Sequence, residues 1–369
     1  MREGWEYKKL NEVCDKGSSN IVINKLIDNN GDYPLYGASG LIKDIDFYHQ
    51  DKRYIGIVKD GAGVGRVNIY PAFSSLVGTM QYIFPKEGYS LDFIKYFLIK
   101  LDLSHCVSGA TIPHIYFKDY GKELIPTPSL DTQLAIVSEL DKINELIRLK
   151  KEQLKDLDKL AQSIFYEMFG DPVENEKGWE VKKLNEIVSD NCSISYGIVQ
   201  PGDGIENGVP VVRPVDMTGT FVYRQGLKNT TKEISESYKR TILKGNEILM
   251  CVRGTTGLIS MASSELRGCN VTRGITPIEC GKSCNKWFIY YQISNSSIQQ
   301  YIAEYTRGIA LKQINMKDVR DIPLCLPPLP LQHLFAQRIE QIEHQKAEVQ
   351  KSITDLETLL ASRMQYWFE

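Results

Sequence analysis

No apolar run in these 369 residues reaches transmembrane length, and the opening Met1-Arg2-Glu3-Gly4-Trp5-Glu6 lacks the apolar core of a signal peptide. A cytoplasmic location without membrane contact is therefore expected. Cysteine is present but unpatterned. Of eight, only Cys280 and Cys284 are close, and no second pair completes a zinc-ribbon spacing. In that compartment they read as reduced thiols, so no metal ligand and no cofactor is expected. The five histidines form no triad-like cluster. An excess of positive charge is also missing. The net charge is −2, and residues 1–128 carry 15 Lys/Arg against 15 Asp/Glu, with 6 against 8 in 129–169. Residues 170–327 carry 19 against 17, and 328–369 carry 4 against 6. Without a basic arm, affinity for a polyanion has to come from local patches or from a partner. What remains is a soluble globular composition, 42% hydrophobic and 24% charged, long enough for two domains.

The strongest positive signal is self-similarity. Gly4-Trp5-Glu6-Tyr7-Lys8-Lys9-Leu10-Asn11-Glu12-Val13 returns as Gly178-Trp179-Glu180-Val181-Lys182-Lys183-Leu184-Asn185-Glu186-Ile187, with eight of ten positions identical at an offset of 174. A second register, at an offset of 199, relates Gly109, Ile115, Lys118, Asp119, Pro128, Leu130 and Gln133 to Gly308, Ile314, Lys317, Asp318, Pro327, Leu329 and Gln332. The later half therefore holds about 25 extra residues between shared ends. The chain reads as a tandem duplication whose middles have diverged.

Each repeat ends in a long heptad stripe. In the first, Ile136, Ile143, Lys150, Leu157 and Ile164 alternate with Leu140, Ile147, Leu154, Ala161 and Met168. In the second, Phe335, Ile342, Val349, Leu356 and Arg363 alternate with Ile339, Lys346, Ile353, Leu360 and Trp367. Such helices expose an apolar seam unless they pack on one another. Lys150 and Lys346, which interrupt the seam, are expected to snorkel to solvent, with contact to a partner subunit as the other reading. Proline-rich stretches at 125–129 and 327–330 precede the stripes, and Gly170-Asp171-Pro172 ends the first. Arg53–Lys59 and Glu247–Arg253 read as buried strands, while Asp92–Leu103 and Lys286–Ile302 have helical spacing. The expected fold class is α+β, in the order domain 1–128, helix 129–169, domain 170–327, helix 328–369.

In this order the motifs resemble the specificity subunits of type I restriction–modification systems. A Gly-Trp-x-x-x-x-Leu opening leads to a strand with a glycine-rich turn, a Gly-containing loop with a Lys-Asp step, and a Pro-x-Leu-x-x-Gln lead-in to a long helix. All of it occurs twice, over essentially the whole chain. The resemblance implies two similar α+β target recognition domains separated by two long helices, packed as an antiparallel coiled coil in a pseudo-twofold tandem repeat. It implies double-stranded DNA as ligand, modification (methyltransferase) subunits as partners, two in number, and restriction subunits as a further partner. Because the middles differ, the two half-sites are expected to differ, with helix length setting their spacing.

Candidate DNA contacts follow. The turn Lys59-Asp60-Gly61-Ala62-Gly63-Val64-Gly65-Arg66 has its counterpart in Arg253-Gly254-Thr255-Thr256-Gly257. Small residues there let backbone amides approach a phosphate, with Lys59, Arg66, Arg253 and Thr255 as donors. A tight hairpin with solvated charges is the plainer reading. The aligned loops 108–114 and 307–313 contribute Thr111, His114, Arg307, Lys312 and Gln313. Gln313 suits adenine, and Arg307 and Lys312 suit guanine or phosphate. Against this, His114 and Gln313 equally suit the capping of a structural turn. Arg213 and Arg273, beside prolines and glycines, complete the set. Trp5 and Trp179 belong to the shared opening and read as packing residues.

Independent catalysis is not expected. Asp171-Pro172-Val173 lacks the second proline and the aromatic that would hold a flipped adenine. The run Gly61–Gly65 is followed by a strand pattern rather than a helix, and Gly281-Lys282-Ser283 has Thr276 where a P-loop needs glycine. The alternative from another class is a coiled-coil adaptor whose globular halves bind protein.

Overall fold

The computed structural model describes residues 5–109, 111–202, 204–308 and 311–369. Gly4, Ala110, Ile309 and Ala310 of the motifs above lie outside the described residues. The chain forms two compact units, Met1–Glu152 with Gln350–Glu369, and Gln153–Val349. Each unit takes one part of each long helix, Leu130–Phe169 and Leu329–Phe368. At 40 residues each helix is about 60 Å long.

The duplicated opening builds the same local structure in both units. Tyr7–Lys9 pairs antiparallel with Leu124–Pro126, and Glu180–Lys183 with Pro323–Leu326. A one-turn helix follows each strand. The Lys9 N–H donates to the Glu12 carboxylate at 2.8 Å, and the Lys183 N–H to Glu186 at 2.6 Å, which satisfies a donor the short helix leaves open. The two ends of each α+β domain are thereby tied together where the chain enters a long helix. The shared glutamines fasten that point. Buried Gln133 accepts from the Ser90 N–H (2.9 Å) and donates to the Pro128 carbonyl (2.9 Å). Buried Gln332 accepts from the Asn285 N–H (2.9 Å) and donates to the Pro327 carbonyl (2.8 Å). Ser90 and Asn285 in turn cap the helices Leu91–Leu101 and Lys286–Ser294.

In the first unit a four-stranded antiparallel sheet runs in the order Cys14–Ser18, Met80–Pro85, Tyr54–Val58, Val67–Tyr70. Its central strand is buried on both faces, Ile55 and Ile57 lying with the helices, Tyr54 and Val58 with a smaller sheet. In the second unit the corresponding sheet runs Phe221–Val222, Ile259–Ala262, Ile248–Cys251, Ile275–Ile278. Two details depart from the sequence reading. The spacing from Lys286 to Ile302 is divided into helices Lys286–Ser294 and Ser296–Glu304, because Asn295 is extended (ψ 140°) and caps the second through the Ser297 N–H. The buried face of each long helix also leaves the heptad stripe at its C-terminal end. There Phe165 and Phe169, and Met364 and Phe368, are buried. A straight helix drifts about 20° per heptad, and the aromatics of the adjacent domain capture the shifted face. Phe169 meets Phe288 at 4.7 Å and Phe368 meets Phe93 at 5.1 Å between ring centroids.

Within each unit the long helices run antiparallel. In the first, Glu139 binds Arg363 and Lys151 binds Glu357; in the second, Asp158 binds Lys346 and Met168 meets Arg338. Lys346 corrects an expectation: it does not snorkel. Its side chain is 17% exposed and bonds both Asp158 and Glu343 at 2.8 Å. Burial is the largest single effect and pushes its pKa down, but the hydrogen bonds to Asp158 and Glu343 together with the charges of both carboxylates outweigh it and raise the pKa. The tryptophans pack as expected: Trp5 stacks on Trp367 (6.1 Å), and the Trp179 indole N–H donates to the Phe169 carbonyl (3.0 Å).

The Glu139 junction is pH-sensitive. Hydrogen bonding from Arg363, followed by that from Trp367, holds the Glu139 carboxyl below its usual range against a smaller desolvation effect. A carboxylate with a depressed folded pKa contributes stability that is present above its unfolded value, near 4.3, and lost as pH falls through the folded one. Thermal melting should therefore show wild type losing more stability than Glu139→Gln between about pH 5 and pH 3. Parallel curves would refute this.

Candidate nucleic-acid interface

The strand Tyr54–Val58 delivers the chain to a turn in which Gly61, Gly63 and Gly65 all have φ near +85°. Side chains seldom adopt that conformation, which accounts for the alternating glycines. The loop 108–114 has a doubly bonded neck: the Ser108 N–H donates to His114 O (2.9 Å) and the His114 N–H to Ser108 O (2.8 Å). Gly109 (φ +93°) is obligatory, since a Cβ there would lie 2.4 Å from the Ile112 carbonyl. Turn and loop are then bonded to each other, Gly61 N–H to Pro113 O and Ile115 N–H to Lys59 O, both 2.9 Å. Segments far apart in sequence become one surface.

The second unit repeats this arrangement bond for bond. Arg307 and Gln313 exchange backbone bonds of 2.8 Å; the Gly254 N–H donates to Lys312 O (2.8 Å) and the Ile314 N–H to Val252 O (3.0 Å). Gly308 (φ +102°) stands where Gly109 does, with a notional Cβ 2.4 Å from Leu311 O. By this pairing Asp60 corresponds to Arg253, Ser108 to Arg307, and His114 to Gln313. The offset between units moves from 174 at the opening to 193 at the turn and 199 at the loop. Most of the extra length of the second unit therefore precedes the turn.

The side chains differ where the backbones agree. In the first unit Lys59 lies 3.7 Å from Asp60, and the His114 ring leans on Tyr116 (5.0 Å) with Nδ1 at 3.2 Å from Ile112 O. Thr111 is exposed on the loop. Arg66 leaves the junction: its guanidinium folds over Gly63 and donates to the Ala38 carbonyl at 2.8 Å. In the second unit Arg307, Lys312 and Thr255 are exposed. Arg253 is half-buried, and its Nε has no hydrogen-bond partner among the described residues. Gln313 donates to the Tyr196 hydroxyl (3.3 Å), and Arg273 lies 5.7 Å over the same ring. Arg213 is engaged by Asp216 through Nε (3.0 Å) and Nη2 (2.7 Å), a pairing that raises its pKa.

The structure thus gathers Arg253, Thr255, Arg273, Arg307, Lys312 and Gln313 in one unit, and Lys59, Thr111 and His114 in the other. Arg66 and Arg213 are bound elsewhere. Two residues escaped the sequence reading. Asp60 stood in the glycine-rich turn without being singled out, since the reading there sought donors for phosphate, whereas a carboxylate is an acceptor for a base edge. Tyr196 lies beyond the shared opening, where the two repeats no longer match in sequence, so nothing in the pattern flagged it.

The described helices include none long and apolar enough to cross a membrane. The family model for the type I restriction modification DNA specificity domain matches twice, over residues 2–159 and 176–358. The chain belongs to this specificity-domain family. Each matched region of the specificity domain contains one glycine turn and one neck-bonded loop. Among relatives, the type I restriction enzyme EcoBI specificity subunit of Escherichia coli is 24% identical over 67% of this chain and 57% of its own length. The putative type I restriction enzyme MjaX specificity subunit of Methanocaldococcus jannaschii is 25% identical over 59% of this chain and 52% of its own. The chain therefore aligns with little more than half of either. These relatives are named for specificity rather than for catalysis. In fold, the specificity domains resemble the type I restriction-modification S subunit from M. genitalium, with a TM-score of 0.59 at 15% identity, over 100% of this chain and 98% of that one.

Proposed function

We propose that this chain is the sequence-reading subunit of a type I restriction–modification enzyme, without a catalytic centre of its own. It directs adenine methylation by two modification subunits, and cleavage where restriction subunits join. One observation carries the reading: two junctions with the same backbone hydrogen bonds present different side chains. Asp60, Ser108 and His114 occupy the places of Arg253, Arg307 and Gln313. A common frame with exchanged donors and acceptors is what two unlike half-sites require, because the major groove distinguishes base pairs by donor and acceptor pattern. The target is then bipartite and asymmetric. Lys59, Thr111 and His114 read one half; Arg253, Thr255, Arg273, Arg307, Lys312 and Gln313 read the other. Arg66 and Arg213 contribute to DNA contact only through the N–H groups their partners leave.

The test is co-expression with the cognate modification subunit and base-resolution mapping of methylated adenines. A motif in two fixed parts is expected. A contiguous motif, or methylation without sequence preference, would refute the proposal.

A further inference from the structure

In the first unit His105 and Cys106 close a 3-10 turn, Leu103–Cys106, and Glu123 sits just before the strand Leu124–Pro126. The His105 nitrogen, the Cys106 sulfur and the Glu123 carboxylate all lie within 4.8 Å of one another. We propose that these three side chains form a zinc-class divalent metal site that clamps the base of the loop carrying Thr111 and His114.

Three observations carry this. Nδ1 of His105 lies 2.8 Å from the Asp102 carbonyl, which can only accept, so Nδ1 bears a hydrogen and, in the neutral ring, Nε2 offers its lone pair; the same carbonyl, followed by Glu123, raises the His105 pKa, so without a metal a proton takes that place. That is the orientation a metal-bound histidine takes when its outer nitrogen is held by a backbone carbonyl. Nε2 then faces Glu123 Oε1 at 3.2 Å, two acceptors at bonding distance that need a cation or a proton between them. For a tetrahedral zinc with nitrogen and oxygen ligands near 2.0 Å, the ligand–ligand edge is about 3.3 Å, which matches this separation. Finally, the half-buried Cys106 adds a soft sulfur; burial and the nearby Glu123 and Asp119 raise its pKa and keep it a thiol until a metal displaces the proton, and with imidazole it favours zinc over magnesium or calcium. A water completes the fourth position.

The second unit shows that the cluster is not demanded by the fold. The Leu10 N–H bonds Glu123 O and the Leu184 N–H bonds Ile322 O, both at 2.9 Å, so the backbones coincide. Yet the places of His105, Cys106 and Glu123 are taken there by Glu304, Tyr305 and Ile322, and the Tyr305 ring lies tilted against Tyr301 at 4.6 Å. The second unit has a local aromatic pair at its helix end where the first has the triad. Cysteine spacing could not reveal this, because the thiol has no cysteine partner and the carboxylate is distant in sequence.

The experiment uses the purified, reduced full chain stripped of metal and titrated with Co2+ alone. Expected are saturation at one equivalent, a thiolate-to-cobalt charge-transfer band, and displacement by Zn2+. Cys106→Ser should abolish the band, while the Cys280→Ser/Cys284→Ser double variant should keep it. His105→Gln, at an exposed position, and Glu123→Gln, at a half-buried one, should each weaken zinc binding about tenfold or more with far-UV circular dichroism unchanged. Absence of saturable binding would leave only a His105–Glu123 ion pair and overturn the proposal. So would a band that survives Cys106→Ser. Neither result bears on DNA reading by the chain.

Discussion

Replacing Gln313 with alanine in the assembled complex should reduce binding to the specific duplex by roughly 5- to 150-fold, about 1–3 kcal/mol for loss of one bidentate base contact. Binding to unrelated duplexes should barely change. The reason lies in how the side chain is held. Its backbone is locked to Arg307 by two 2.8 Å bonds, and the Tyr196 hydroxyl accepts one of the two Nε2 hydrogens. The remaining hydrogen and Oε1 form the donor–acceptor pair that fits adenine N7 and N6. Tyr196→Phe should reproduce part of the loss, since it frees the amide to rotate. Lys312→Ala provides the contrast. Lys312 is exposed, and on the proposed reading its ammonium takes phosphate, so the variant should weaken all duplexes alike and lower the salt dependence by about one ion. Titrations against matched and scrambled duplexes at several salt concentrations distinguish the two. Equal losses from Gln313→Ala on both duplexes would show that the glutamine only braces its turn.

The second large effect is expected inside the second unit. Lys346→Met leaves Glu343, whose side chain is 11% exposed, without its cation. Breaking a buried pair from one side costs about 3–5 kcal/mol. The lower end applies here, because the Tyr291 hydroxyl also contacts Glu343. For a unit of this size about 3 kcal/mol corresponds to a fall in thermal midpoint of roughly 6–12 °C. The double variant Glu343→Leu/Lys346→Met should regain most of it, since well-packed apolar residues often replace a buried ion pair without loss. Lys346 also lines a cavity of about 320 Å3 with Phe165, Tyr290 and Tyr291, which leaves room for the methionine. If the single variant melts within a degree or two of wild type, Lys346 is solvated in solution as the heptad pattern had implied.

Sequence alone determined the duplication, the two long helices and the order of parts. These follow from local, periodic information: heptad spacing buries a stripe whatever the neighbours are, and a repeated Leu-Asn-Glu opening caps a repeated one-turn helix. Gln133 and Gln332 were likewise visible as a matched pair, though not their task of joining each long helix to a domain helix. Tertiary structure decided what depends on residues far apart in the chain. It set Asp60 against His114 and Arg253 against Gln313, brought Tyr196 under Gln313 and Arg273, and turned Arg66 and Arg213 aside to Ala38 and Asp216. It also shifted the buried helix face onto Phe165, Phe169, Met364 and Phe368, and drew Lys346 between two carboxylates. Periodicity specifies which face of an element is apolar; which neighbour meets that face, and which donor finds which acceptor, is fixed only when the chain closes on itself.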